Sequence, residues 1–162
     1  MNTPTWDAAA FFEDLTARNR LAQEKGFRFC RISGLAGMED AIAAMQNTPA
    51  FVMVSDAPVG TMDIENTPHL RRTVMVVLAM RHPLDDMQAR SQCLETMQEL
   101  FRQYMSALIP ERKRREVNML FIEPRVTLQV FNRYLTPGVS CYMFEVATTA
   151  YVDMVYNNAE WE

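Results

Sequence analysis

Met87, Leu94, Phe101 and Leu108 recur every seven residues, with Met97, Tyr104 and Met105 beside them. That spacing sets all of them on one side of an α-helix, because residues three, four and seven apart share a helical face. Pro83 and the carboxylates Asp85 and Asp86 supply a helix start, where the backbone dipole is positive. Pro110 is expected to close it, so the helix covers about residues 85–109. At 1.5 Å per residue such a helix is about 36 Å long. A stripe of that length needs an apolar partner surface of similar length, and the rest of the chain offers strands.

Thr73-Val74-Met75-Val76-Val77-Leu78-Ala79-Met80 is β-branched and apolar on both alternating faces, which predicts a central strand over 71–81 covered on each side. Ala50-Phe51-Val52-Met53-Val54-Ser55 has the composition of a second buried strand. After the long helix, strand-like stretches run from Val117 to Ile122, Val126 to Tyr134 and Ser140 to Val152. Thr136-Pro137-Gly138 is a turn signal joining the last two as a hairpin. Before the first strand, Thr5 or Asp7 caps a helix expected to reach about Glu24, with Ala8, Phe11, Phe12, Leu15 and Ala22 as its apolar stripe. Phe27–Ile32 reads as a strand or an extended connection, and a short helix follows to about Gln46, with Met38, Ile42 and Met45 on one face. Residues 56–70 contain Pro58, Gly60 and Pro68 and show no periodicity, which predicts a long loop. The fold expected is α+β: a mostly antiparallel or mixed sheet of about four to five strands, packed by the long helix (about 85–109) and an N-terminal helix. One domain is expected over 1–162, with an N-terminal helical segment 1–34, a core 35–152 and a tail 153–162.

Composition narrows the function classes. Of the 162 residues 49% are hydrophobic and 22% charged, ordinary values for a globular chain. The longest apolar run, Val74 to Met80, is far below the roughly 20 residues a membrane helix needs. No secretory signal is visible at the start, and Cys30, Cys93 and Cys141 form no CxxC pair, so a cytoplasmic location with reduced cysteines is expected. A formal net charge of −4 argues against a dedicated nucleic-acid binder.

Catalytic signatures are sparse. His69 and His82 flank the 71–81 strand and, if it is straight, lie about 43 Å apart, too far to share a metal. Asp85 and Asp86 are adjacent on a helix and do not face each other, so capping explains them. Asp63 and Glu65 in the 56–70 segment lack the further ligands and the Gly of a calcium loop. No GxxxxGK[ST], GxGxxG or GxSxG occurs. The expectation is a non-enzymatic protein without cofactor or metal. Glu111-Arg112-Lys113-Arg114-Arg115-Glu116 is the strongest local charge feature, and its flanking glutamates favour a solvated helix end or a protein contact over phosphate binding. The segment Tyr151 to Tyr156, ending near Trp161, is unusually apolar for a terminus and is expected to pack on this subunit or on a neighbour.

Thr48-Pro49-Ala50-Phe51-Val52-Met53-Val54 leads into a strand, Arg71 to Val77 forms the next, and Gly138 to Val146 forms the last, with the long helix between. This order and pattern over about residues 35–152 resembles the tail terminator, or tail completion, proteins of long-tailed bacteriophages and related contractile particles. The resemblance implies an α+β subunit of a six-membered ring capping a tail tube, with contacts to the tube and head-connector proteins and no cofactor. Candidate contacts are then Asp63, Glu65 and His69 in the loop, Arg112, Lys113, Arg114 and Arg115 after the helix, and Tyr156 and Trp161 in the tail, because a ring subunit needs two different complementary faces. The rival expectation is a homodimeric small-ligand-binding or regulatory domain with its ligand between the long helix and the sheet. A third, an enzyme using His69 with Asp63 or Glu65, has the least support.

Overall fold

A computed structural model describes residues 3–56, 58–131 and 137–161. The chain is α+β with a mixed, open, seven-stranded sheet. Asp7 caps α1 (Ala8–Arg18), its carboxylate accepting from the Ala10 amide at 2.9 Å. The single N-terminal helix expected to Glu24 is instead two, because Asn19 takes an extended conformation and recaps α2 (Arg20–Glu24) through the Ala22 amide. Then come β1 (Phe27–Ile32), α3 (Gly34–Ala44) and β2 (Ala50–Ser55). β1 and β2 are parallel, and α3 is the crossover that such a pair requires. All other pairings are antiparallel.

The expected 56–70 loop is largely a hairpin arm. β3 (Val59–Asp63) pairs with the first residues of β4 (His69–Arg81), and only Ile64–Pro68 turn between them. Every residue of β3 is exposed, so no buried face marks it in the sequence. β4 is central, as expected. Along its whole length it pairs with β7 (Val139–Tyr151), from His69 opposite Tyr151 to Arg81 opposite Val139.

β5 (Leu120–Ile122) and β6 (Thr127–Phe131) share the far edge of β7. The sheet therefore has seven strands rather than four or five, because both lines flanking the β4–β7 pair are broken in two. From Val54 to Val59 the chain advances five residues while β4 advances three, Val76 to Thr73. From Ile122 to Thr127 it again advances five while β7 advances three, Thr148 to Glu145. Each break is a bulge that lets the edge bend.

α4 runs from Met87 to Glu116, capped by Asp86, whose carboxylate accepts from the Ala89 amide at 2.9 Å. It passes through Pro110 and takes in the basic run, which is the helix's last turns and not a segment after it. Local rules favour a stop at Pro110, but the next turn is held by tertiary contacts. Glu111 is buried between Arg114 and Arg115, and the Arg112 guanidinium donates to the Ile122 carbonyl at 2.8 Å. Pro110 itself lies on the exposed side, where water can satisfy the Ser106 carbonyl that it leaves without a donor.

One sheet face packs under α1 and α4. Val74, Val76 and Leu78 of β4 and Tyr142, Phe144 and Val146 of β7 meet Phe12, Met97, Leu100, Tyr104 and Leu108 there. Of the predicted helix stripe, Met97, Tyr104 and Leu108 are buried and Leu94, Phe101 and Met105 pack on the core, while Met87 is 65% exposed. The two helices are pinned to each other by a buried hydrogen bond. Thr16 spends its one hydroxyl proton on the Phe12 carbonyl at 2.7 Å, so the Tyr104 hydroxyl, also 2.7 Å away, donates to Thr16. The opposite face carries a smaller core of Met38, Ile42, Phe51, Met53, Val77, Ala79 and Cys141. Among the described residues no helix is long and apolar enough to cross a membrane.

Candidate functional site

The three segments singled out in the sequence converge on one end of the sheet. Asp63 and His69 are cross-strand partners at the tip of the β3–β4 hairpin, and Glu65 lies in its turn. Tyr151 sits opposite His69 on the other side, and the next residue, Val152, donates to the Pro68 carbonyl at 3.0 Å. α4 descends to the same end, where Arg112 reaches β5.

The polar groups gathered there are largely engaged with local structure. The Asp63 carboxylate accepts from the Glu65 amide at 2.9 Å, an Asx turn that shapes the hairpin tip. A ring nitrogen of His69 lies 3.1 Å from the Thr67 carbonyl. Arg114 and Arg115 both bind Glu111, at 3.0 and 2.7 Å, and Lys113 is exposed. Tyr156 and Trp161 stack on each other at 6.2 Å, and both are largely exposed, at 72% and 75%. The tail therefore packs on itself, not on the core of its own chain.

Sequence reasoning missed a histidine–serine pair at the opposite end. His82 Nε2 lies 2.8 Å from the Ser140 hydroxyl, and His82 Nδ1 lies 3.0 Å from the Pro83 carbonyl. A carbonyl can only accept, so Nδ1 carries the proton and Nε2 accepts from Ser140. The arrangement has the polarity of a base and its nucleophile, yet Ser140 is 0% exposed and no substrate can approach its oxygen. Together with the His82 amide, which donates to the Gly138 carbonyl at 2.8 Å, it clamps the end of β4 to the start of β7. Spacing gives no hint of the pair, because 58 residues separate the two side chains.

A trough runs along α4, beside Tyr142 of β7 at one end and beside Glu123, Pro124 and Val126 at the other. Its upper part encloses about 540 Å³ between Glu95, Glu99, Phe101 and Tyr142, and its lower part about 430 Å³ between Ile109, Arg112, Pro124 and Val126. Arg102 and Met105 line both parts, so the trough is continuous along the helix. Leu128 and Val130 stand opposite Phe144 and Tyr142 on β7 and so share the α4 face, at 39% and 47% exposure. On the rim, hydrogen bonds from Arg102 and Gln103 hold the Glu99 carboxyl down at about 2, so it stays charged. Arg71 and Glu123 form a two-pronged pair of 2.6 and 3.0 Å, which leaves the Glu123 charge answered and its carboxyl below the usual range. Among the described residues the outer edge of β6 pairs with no strand. Comparison of the chain with known protein families and with curated proteins finds no match.

Proposed function

We propose that the chain is a non-enzymatic assembly subunit that joins copies of itself into a ring, of the kind its sequence resembles: a tail terminator or completion protein. One observation carries this reading. Nine of the fifteen large exposed apolar side chains among the described residues lie in three places: Val59, Met62 and Ile64 around β3, Leu128 and Val130 on β6, and Met154, Val155, Tyr156 and Trp161 in the tail. The other six are scattered elsewhere. β3 and β6 stand on opposite outer lines of the sheet and differ in sequence. Two unlike sticky edges suit a head-to-tail contact, which closes into a ring when the rotation allows. Tail-tube and head-connector proteins are the partners proposed for such a ring.

Light scattering on the eluting protein tests the reading. The expected result is a hexamer, or a smaller species that forms rings when tube protein is added. A stable dimer carrying a small molecule would reject it in favour of the second reading, a ligand-binding domain. The trough supports that alternative, since its volume and mixed lining match small-molecule sites. Native mass spectrometry separates the two by the mass of any bound compound.

A further inference from the structure

We infer that the upper part of the trough is a binding site for a small protonated amine with an apolar body, seated between α4 and Tyr142. The inference goes beyond the assembly reading and does not depend on it. It starts from a polar group with nothing to bind. Tyr142 projects from β7 onto the α4 face beside Phe144 and Val146, lines the trough and is only 7% exposed. Its ring meets Phe101 at 5.4 Å, but among the described residues its hydroxyl makes no hydrogen bond. A phenol buried this far ordinarily has a partner, and a ligand in the trough supplies one.

Charge sets the sign of that ligand. Glu95 and Glu99 stand one turn apart on the same side of α4, and both line this part of the trough. Arg102, the cation in the lining, is committed to Glu99 through two hydrogen bonds of 2.8 and 2.7 Å. Among the described residues Glu95 has neither an ion pair nor a hydrogen bond. Two carboxylates therefore face one guanidinium, and one negative charge is left unanswered.

The chemistry of the leftover groups narrows the class. The Glu95 carboxylate, the Tyr142 hydroxyl oxygen and the Gln98 side-chain carbonyl can all accept. They suit N–H donors on a positive centre, which a primary ammonium has and a quaternary ammonium lacks. The aromatic rings beside them attract a cation over their faces. Phe101 and Met105 offer apolar surface to the rest of the molecule, and the volume of about 540 Å³ falls in the range of small-molecule sites. A polyamine finds no second unanswered carboxylate, because Glu99 keeps Arg102. One positive centre on an apolar body is the match.

The test titrates the full ¹⁵N-labelled chain with 2-phenylethylammonium chloride and follows the amide correlation spectrum, which also reports that each variant folds. Saturable shifts are expected in α4 between Glu95 and Met105, with a Kd of about 1 mM for a fragment of this size. Glu95→Gln, at an exposed position, is expected to weaken binding by about threefold to fivefold. Tyr142→Phe keeps the ring and is expected to weaken it by about threefold or more. Glu13→Gln makes the same charge change on the exposed side of α1 and is expected to leave the Kd unchanged. The uncharged isostere 2-phenylethanol and the anion phenylacetate are expected not to saturate below about 10 mM. Equal affinity for the alcohol or the anion, or a Kd unchanged in either trough variant, would overturn the inference. So would equal weakening by Glu13→Gln, or no saturable shift up to about 20 mM amine. The mass of the assembly is read separately by light scattering, so the ring reading survives either result.

Discussion

Replacing Pro110 by Ala isolates what the long helix tolerates. Inside a helix, proline is about 3 kcal/mol less favourable than alanine, through the lost hydrogen bond and the clash with the carbonyl four residues back. Here that carbonyl belongs to Ser106, and both Ser106 and Pro110 are exposed, so water recovers part of the lost bond. Proline also stiffens the unfolded chain, an advantage of roughly 0.4–1 kcal/mol that alanine gives up. The remainder is a stabilisation of about 1–2 kcal/mol for Pro110→Ala. At about 2–4 °C per kcal/mol for a chain of this size, the midpoint of thermal unfolding rises by roughly 2–8 °C. Urea unfolding followed by far-UV circular dichroism checks the free energy, with an unchanged m-value showing that the same surface unfolds. Pro110→Gly is the control, expected to gain less by about 1 kcal/mol because glycine is itself a poor helix former. A loss of stability on Pro110→Ala would refute the reasoning. It would mean that proline bends the last turns onto β5, so that Glu111 burial and the Arg112 bond to Ile122 depend on it.

Three further outcomes test the core. Thr16→Val strands the buried Tyr104 hydroxyl without an acceptor and is expected to cost about 1–3 kcal/mol in urea unfolding, whereas Tyr104→Phe costs only about 0.5–1.5 because Thr16 keeps its bond to Phe12. Gly138→Ala combines a φ of +79° with a Cβ placed 2.9 Å from the His82 carbonyl, so a loss of about 1–3 kcal/mol is expected; Gly34→Ala, with φ +82° but open space around it, is expected to lose less. Burial pushes the Cys141 thiol and the Tyr104 phenol up to about 12, from 9.0 and 10.0. The unfolded chain releases these protons first, so stability is complete below about pH 9 and falls as pH rises towards 12, seen as a urea midpoint lower at high pH than at neutrality. A midpoint that does not change over that range would contradict the burial of both groups.

What the sequence revealed depended on whether an element announces itself by burial. β2, β4 and β7 are apolar runs because both faces of each are covered, and each was placed within about two residues. β3 has no buried face: Val59-Gly60-Thr61-Met62-Asp63 becomes a strand only by pairing with β4, a non-local cause that no window over the segment contains. The end of α4 failed for the opposite reason, since a strong local stop signal was overruled by the burial of Glu111 and the hold on β5. Asn19 shows the same contest at short range, ending one helix and capping the next. At the surface, the residues named at the hairpin tip, the basic turns and the tail do share one end of the sheet. The trough was not legible, because it exists only once α4 lies across Tyr142 and the 123–126 segment, which are distant from it in the sequence.

The paired breaks in the sheet have a mechanical consequence. β4 and β7 form an unbroken ribbon of thirteen paired residues that acts as a beam, while β3 and β6 are joined to it beyond bulges of identical step. Each corner strand stays paired with the beam, β3 with Thr73 to His69 and β6 with Glu145 to Cys141, so the breaks redirect the edges without interrupting the central ladder. The two corners are thereby set off from the beam by the same step on opposite sides of the sheet, so two edges of unlike sequence share one offset geometry.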